Sequence, residues 1–216
     1  MTKTDLNIEY INILSKILKN RPRDSYIVLG SMGTLSYTSK IGYSRKMNDL
    51  DIIVDESQVK PMKDVLMEQG FIQTTFINKR MPFYKNLLKQ SKSIYLRFSK
   101  DGVNIEILST RFIKIDSSLK FDLYPNFWVK IPISSLTKTK LGKTEFTTLD
   151  VNLLWAIKYL LHNSLGKFMH HKREQRAEDL SHLRKLVNLD KAKRLISQSR
   201  FGFKSFAFKV PVFFLK

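Results

Sequence analysis

Two aspartates separated by a single residue are the positions in this sequence best suited to chemistry. Asp49 and Asp51 flank Leu50 and lead directly into an apolar segment, residues 52–54. In a β-strand, residues i and i+2 project from the same face, so we expect the two carboxylates to lie a few ångströms apart. Two negative charges that close repel each other and require a proton or a divalent cation to offset them. Because Mg²⁺ is typically held by one or two carboxylates plus substrate phosphates, the pair predicts a site for Mg²⁺ or Mn²⁺.

A Gly-Ser pair upstream of the aspartates adds a second feature of the same kind. Gly30 and Ser31 follow an apolar segment, residues 26–29, and precede residues 32–37, which we predict to be helical. Backbone N–H groups and a hydroxyl at a helix N-terminus form a natural cradle for phosphate. An Asp-x-Asp pair alone also occurs at solvated strand ends and turns. The upstream cradle is what favours a phosphate and metal site over that alternative.

The flanking sequence predicts the elements that hold these residues. In chain order they are an amphipathic helix at 4–19, strands at 25–29 and 51–54, and a helix at 57–69 that ends at Gly70. With the short helix after Gly30, this gives a strand–helix–strand–helix order, which is typical of an α/β layer.

A predicted hairpin offers a third carboxylate. Asp101-Gly102 is a strong turn signal, and it joins a strand at residues 93–98 to one at residues 103–108. Glu106 lies on the second strand, and because divalent cations take several oxygen ligands, a carboxylate on a neighbouring strand is a candidate third ligand. Its alternation with apolar residues fits a charged residue on the solvent face equally well. Both interpretations stay open.

A helical pattern begins after residue 147. Residues 150–162 place apolar side chains on one face with Lys158 beside them, which is typical of an exposed lysine whose stem covers apolar surface. We predict a division into residues 1–147 and a helical part with an aromatic tail, residues 148–216. The tail, residues 201–216, interleaves phenylalanines with lysines, and we favour a final strand or docked tail over a single-strand nucleic-acid binder.

These residues together resemble the nucleotidyltransferase fold. A strand that ends in Gly-Ser and a later strand that opens with Asp-Leu-Asp are similar to its signature. Within that superfamily, GS-x-x-TL followed by R-x-x-x-D-L-D resembles the AbiEii branch, which includes the MenT-type toxins. The matching residues are Gly30, Ser31, Thr34, Leu35, Arg45, Asp49 and Asp51. Met47 stands where that family usually has Ser or Thr.

The resemblance implies a fold and a metal-assisted site. The fold would be α/β (α+β), a nucleotidyltransferase-like mixed sheet with flanking helices followed by a helical C-terminal part. Gly30 and Ser31 would bind the β- and γ-phosphates of a nucleoside triphosphate. Asp49 and Asp51, with Glu106, would hold one or two divalent ions, and the two aspartates would be catalytic.

The resemblance also implies catalytic roles for Lys158 and Asp179, two residues far along the chain. Lys158 matches a lysine that points at the nucleotide phosphates, and with Arg45 it would add positive charge around the phosphates or the carboxylates. Asp179 matches the end of a basic-acidic helix and would orient Lys158 or act near the acceptor. Gln175 and Arg176 occupy the positions at which the family has Lys-Asp. Arg176 and Asp179, three residues apart, could also simply pair on a helix surface.

The charge of the chain bears on its partners. Among 216 residues, 38 are Lys or Arg and 19 are Asp or Glu, a net charge of +19. Residues 151–216 are the most basic part, with 14 basic and 4 acidic side chains. A field this positive favours polyanions and repels a cationic antibiotic. Two alternatives stay open. The composition is simply rich in lysine and has no polyanionic partner, or the partner is a membrane surface.

The remaining composition points to a cytoplasmic protein. The chain contains no cysteine, which fits a reducing compartment. Its first residues lack the apolar core of a signal peptide, and its apolar runs are shorter than the 18 residues or so that a membrane span needs. We therefore expect neither secretion nor membrane insertion.

We expect metal-dependent transfer of a nucleotidyl group from an NTP to RNA, and to tRNA in particular. A toxin of a toxin–antitoxin system, with an antitoxin protein as partner, is one setting that the resemblance implies. The alternatives are a non-catalytic nucleic-acid-binding module and a partner-binding subunit on the same fold.

Overall fold

The computed structural model describes residues 3–74, 94–124, 127–165, 173–203 and 206–208. In these ranges the helices are α1 (Lys3–Leu18), α2 (Gly30–Thr38), α3 (Val59–Glu68), α4 (Val151–Leu165), α5 (Arg173–Arg184) and α6 (Leu189–Gln198). The strands are β1 (Tyr26–Val28), β2 (Leu50–Asp55), β3 (Ile72–Thr74), β4 (Ile94–Lys100), β5 (Val103–Thr110), β6 (Ile113–Ile115), β7 (Ser118–Tyr124), β8 (Phe127–Pro132), β9 (Leu136–Leu141), β10 (Thr144–Leu149), β11 (Arg200–Phe203) and β12 (Phe206–Phe208). The predicted mixture of helices and strands is confirmed.

The first sheet contains β2 and has five strands in the order β1-β2-β5-β4-β3. β2 runs parallel to β5, and the other pairs are antiparallel. Leu50, Ile52 and Val54 pack with apolar residues of α1 and α3 in a first core. Ile53, on the opposite face, joins a second core. Asp51 shares the face of Ile53, because alternate residues of a strand project to the same side.

The predicted hairpin and helix end are both present. Asp101 and Gly102 have positive φ angles, 48° and 84°, and connect β4 to β5. Two consecutive residues with positive φ match the right-handed twist of the flanking strands in a two-residue turn. Gly70, at φ 80°, follows α3 and reverses the chain into β3.

A second five-stranded sheet has the order β12-β11-β8-β7-β6 and is antiparallel throughout. β11 and β12 belong to the C-terminal tail, so the prediction of a final strand is confirmed at these positions. The remaining residues of the tail lie outside the described residues. Because β11 pairs with β8, the sheet joins strands from both sides of residue 147, and the division at that residue stays a prediction.

The helices that follow residue 147 pack on the first sheet through the second core. This core unites apolar residues of α4, α5 and α6 with Ile27 of β1, Ile53 of β2 and the inner face of β7 and β8. The β9–β10 hairpin packs against β1 and α1. Across the described ranges, none of the helices combines the length and the apolar character needed to cross a bilayer.

Candidate active site

A cleft lies where the N-terminus of α2, the start of β2, and the helices α4 and α5 meet. The cleft is open to solvent, and its volume, counted together with the adjoining solvent space, is about 430 Å³. Seven of the eight residues predicted from sequence to form the site line it, together with three others. The lining residues are Gly30, Ser31, Arg45, Asn48, Asp49, Asp51, Lys158, Gln175, Arg176 and Asp179.

The two aspartates face the cleft from the beginning of β2. Asp49 directly precedes the strand, Asp51 is its second residue, and the fully buried Leu50 between them points into the first core. Both carboxylates are partly exposed. Two carboxylates in one cleft supply the oxygen donors that Mg²⁺ prefers when substrate phosphates complete its coordination. The donor set therefore fits the predicted metal.

Gly30 begins α2 at the edge of the same cleft. Its φ of 60° lies in the left-handed region, and the adjacent Leu29 N–H donates to the Asp51 carbonyl at 2.9 Å. A β-carbon at position 30 would clash with the Asp51 carboxylate where that carboxylate now lies. Glycine is required here both for the backbone angle and for the close approach.

The first turn of α2 is fixed from behind by buried threonines. Thr34 Oγ1 donates to the Gly30 carbonyl at 2.9 Å, and Thr148 Oγ1 donates to the Val28 carbonyl at 2.6 Å. Ser31 is buried beside them and still lines the cleft. The helix begins two residues earlier than predicted, because Gly30 and Ser31 form its first turn. The N-terminal N–H groups of α2 are thereby positioned at the cleft, where a phosphate would complement them.

Asp179 binds two cations of the site, Arg45 and Lys158, at once. Arg45 donates from Nε to one carboxylate oxygen at 2.7 Å and from Nη2 to the other at 2.8 Å. Lys158 Nζ lies 3.1 Å from the second oxygen, and the Tyr43 hydroxyl lies 3.3 Å from the first. The carboxylate is only 1% exposed. Burial would raise the pKa of Asp179, but the Arg45 hydrogen bonds and the charges of Lys158 and Arg45 outweigh it and hold that pKa below its usual range.

The Asp179 contacts bring together three separate parts of the chain. Arg45 precedes β2, Lys158 lies on α4, and Asp179 lies on α5. A stacked ring pair strengthens the same junction, since Tyr43 and His182 of α5 have centroids 3.9 Å apart at 17°. Asp179 lies next to Lys158, and Arg45 makes its shortest contacts; the role of Asp179 in orienting Lys158 stays a prediction.

Helix α1 holds the segment between Arg45 and Asp49 in place. Asn7 Nδ2 donates to the Arg45 carbonyl, and Asn7 Oδ1 accepts from the Met47 N–H, both at 2.8 Å. The Tyr10 hydroxyl donates to the Asn48 carbonyl at 2.9 Å. Met47 is fully buried, so the position where the family usually has Ser or Thr is a core position here. The sequence pattern of α1 indicated only an amphipathic helix.

Glu106 lies beside Asp51 but does not line the cleft. The two residues are in register on the parallel strands β2 and β5, so they share a face of the sheet. The Glu106 carboxylate is 3.8 Å from Arg97 Nε on β4. Within the described ranges, no group of three or more His, Asp or Glu side chains converges to hold a metal. Its role as a third metal ligand stays a prediction.

Three lining residues were not assigned a place in the site beforehand. Asn48 was missed because nothing in its sequence context distinguishes it. Gln175 and Arg176 were noted as departures from the family pattern, and Arg176 also as a surface partner of Asp179, yet both lie within one turn of Asp179 on α5 and line the same cleft. Because Asp179 was itself a candidate site residue, its spacing of three and four residues to Arg176 and Gln175 was the signal that could have placed both in the site.

Comparison with known proteins identifies the fold of this chain but does not place the chain in a family. No model of a protein family and no curated protein matches the sequence. The chain is similar to the crystal structure of the lincosamide antibiotic adenylyltransferase LnuA bound to lincomycin, with a TM-score of 0.54, 17% identity, and coverage of 82% of this chain and 94% of that one. It is also similar to ANT(2")-Ia in complex with adenylyl-2"-tobramycin, with a TM-score of 0.56, 11% identity, and coverage of 87% and 94%. The predicted nucleotidyltransferase fold is confirmed, and the AbiEii branch within it is not.

Proposed function

We propose that this protein transfers a nucleotidyl group from an NTP to a hydroxyl of RNA. One observation carries the proposal. The N-terminus of α2, a pair of carboxylates and two cations fixed by a buried aspartate all line a single cleft. An anion-binding helix end, a place for a metal and ordered positive charge are the three things that transfer from a triphosphate requires.

The triphosphate would lie between α2 and α4. Gly30 and Ser31 offer backbone N–H groups at the helix N-terminus, where both hydrogen bonding and the helix dipole favour phosphate. Lys158 Nζ approaches from the other side while it also contacts Asp179. Asp179 takes up part of the charge of Lys158 and Arg45, so the three groups together remain net positive toward the substrate.

Asp49 and Asp51 would hold Mg²⁺ or Mn²⁺ between the cleft and the phosphates. When bound, the metal ion would supply charge stabilisation for the attacking and leaving oxygens. Without such a partner, two adjacent carboxylates would repel the triphosphate.

The reaction that fits the cleft is substitution at the α-phosphorus of the NTP. An acceptor hydroxyl oxygen forms a bond to that phosphorus, the bond to the bridging oxygen breaks, pyrophosphate leaves, and the acceptor proton passes to solvent. Asp179 is unsuited to take that proton, because its pKa is depressed by the donors that surround it. We therefore assign Asp179 as a positioning residue for Arg45 and Lys158.

The charge of the molecule supports RNA as acceptor. A net charge of +19 attracts phosphates and would make RNA binding strongly dependent on salt. Transfer to tRNA by a toxin, held inactive by an antitoxin protein, is the specific setting that we propose to test first.

A small hydroxylated antibiotic is the second candidate acceptor. The two structural neighbours are bound to lincomycin and to an adenylylated tobramycin. Tobramycin is a polycation, which the field of this protein would repel, whereas lincomycin carries far less charge. Of the two antibiotics, a lincosamide is therefore the better candidate.

The experiment is a transfer assay with each of the four α-³²P-labelled NTPs, with Mg²⁺ or Mn²⁺. Total RNA, purified tRNA, lincomycin and tobramycin are offered separately as acceptors. Label on RNA that disappears with Asp49→Ala and persists with Asp64→Ala, an exposed aspartate on α3, supports the proposal. Label on lincomycin and none on RNA would identify the antibiotic, and not RNA, as the acceptor. No label on any acceptor, with RNA affinity retained in Asp49→Ala, would favour a non-catalytic binding module.

A further inference from the structure

The second sheet carries a row of three cationic side chains across neighbouring strands. Lys120 of β7 is in register with Lys130 of β8, and Lys130 is in register with Arg200 of β11. Residues directly opposite on one face of antiparallel strands have Cβ atoms only about 4.5–5.5 Å apart. Three positive charges are therefore held side by side.

This cationic row lies on the face of the sheet away from the core. Phe121 and Val129 follow or precede Lys120 and Lys130 by one residue and are buried in the second core. Because successive side chains of a strand alternate between faces, the two lysines project to the other side. Arg200 is exposed.

An aromatic ring stands beside the cationic row. Trp128 precedes Lys130 by two residues and so shares its face, and Lys120 Nζ lies 4.8 Å from the centre of the indole ring. The indole is partly exposed. Asp122, in register with Trp128, is the one acidic residue in β6, β7, β8 and β11, so the face stays net positive.

The cationic row destabilises the fold, and a bound anion would offset that destabilisation. Like charges directly opposite each other on a sheet are destabilising, and the rest of this molecule is already strongly positive. Cations at strand spacing next to a partly exposed aromatic ring match single-stranded nucleic acid, in which phosphates need neutralising and bases need a surface to stack on.

We propose that this face binds a single-stranded segment of RNA, with phosphates on Lys120, Lys130 and Arg200 and a base against Trp128. The inference rests on the proposed function, since the single-stranded segment bound here would belong to the acceptor RNA. The face is on a different sheet from Asp49 and Asp51. Binding there would fix the acceptor without occupying the cleft.

The test measures binding of a fluorescein-labelled single-stranded RNA 20-mer by anisotropy over a range of salt concentrations. The variant Lys120→Glu/Lys130→Glu is compared with Lys60→Glu/Lys185→Glu, which changes the net charge equally at exposed positions on α3 and after α5. We expect the first to lose at least about tenfold in affinity, and to lower the slope of log K against log salt by about 1.4, for two phosphate contacts on a single strand. The matched control should lose much less and keep the slope.

A milder variant separates binding from folding. Lys130→Gln removes the central charge of the row, so it should weaken RNA binding while its melting temperature stays the same or rises. Trp128→Leu should weaken binding to single strands with little change in the salt slope, because it removes stacking and not charge.

Any of three binding results would overturn the inference. The first is a wild-type protein that does not bind the RNA, and the second is an equal loss of affinity in both double variants. The third is duplex RNA bound as tightly as single-stranded RNA with no effect of Trp128→Leu. Asp49→Ala separates this inference from the proposed function: it should abolish transfer and retain RNA affinity. Binding at this face without transfer to RNA would contradict the proposed function alone. Transfer to RNA with normal binding by Lys120→Glu/Lys130→Glu would contradict this inference alone.

Discussion

Gly30 and Asp51 lie so close together that a side chain at position 30 would displace the Asp51 carboxylate. A β-carbon built on Gly30 would be 2.0 Å from Oδ2 of Asp51. The N-terminus of α2 and the carboxylate at the start of β2 are therefore in direct contact, and a phosphate bound at one would lie beside a metal bound at the other.

Replacing Gly30 by alanine should abolish activity and destabilise the protein by more than backbone strain explains. Gly42 provides the control, since it also has a positive φ, 80°, but has nothing within 4 Å of an added β-carbon. Gly42→Ala should cost about 1–2 kcal/mol from strain. When the loss of stability is measured by urea unfolding for both variants, the difference between the two losses gives the contribution of the clash. Equal losses of stability would contradict the close contact.

Asp179→Asn should raise the KM for NTP and lower stability. Breaking a buried ion pair by removing one partner typically costs about 3–5 kcal/mol, because the remaining charge is left uncompensated. Here Arg45 and Lys158 would both lose their counter-charge. Asp64→Asn, at an exposed position of α3, is the matched control and should change neither quantity. A variant with normal stability and an unchanged KM would rule out the positioning role.

Stability should fall in acid, and Asp179 should account for part of the fall. The pKa of Asp179 is below its usual value. The pKa values of Asp55 and Asp150 are lowered as well: burial alone would raise them, but hydrogen bonds from Ser57 to Asp55 and from Lys191 to Asp150 outweigh it. A depressed carboxyl pKa contributes stability above the unfolded value of about 3.9 and loses it as the pH falls through the folded value. Urea unfolding from pH 6 to pH 3 should show a shallower fall for Asp179→Asn. Parallel curves for wild type and variant would contradict this.

Tyr10→Phe should impair catalysis from a distance. The Tyr10 hydroxyl donates to the Asn48 carbonyl and accepts from the Asn104 N–H at 3.1 Å, so its loss leaves two polar backbone groups without their bonds. We expect a loss of about 1–3 kcal/mol in stability and a lower kcat, because the segment before Asp49 loses its support. Tyr159→Phe on α4 is the comparison. An unchanged kcat would show that the Tyr10 hydroxyl does not fix this segment.

The local features of the site could be predicted because they follow from short-range rules. The placement of Asp49 and Asp51 in one cleft follows from the strand period, and the helix N-terminus at Gly30 follows from a strand that ends where a helix begins. The hairpin at Asp101-Gly102 follows from turn chemistry. Each depends on neighbours a few residues away, which a single sequence displays.

The parts that escaped prediction depend on contacts between distant segments. Asn7 and Tyr10 act on the backbone some 38 residues later, and no periodicity reports such a hydrogen bond. The bidentate pairing of Arg45 with Asp179 joins residues 134 apart in sequence. The cationic row was equally hidden, because register between β7, β8 and β11 is needed to align Lys120, Lys130 and Arg200.

The pairing of β11 with β8 also sets an order of events during synthesis. β8 exposes one hydrogen-bonding edge until Arg200–Phe203 has left the ribosome, after α4, α5 and α6 have all been made. Contacts this distant in sequence form slowly, and an uncovered strand edge can recruit strands of other chains. We therefore expect the nascent chain to be more prone to aggregation at the edge of β8 before β11 pairs with it than afterwards.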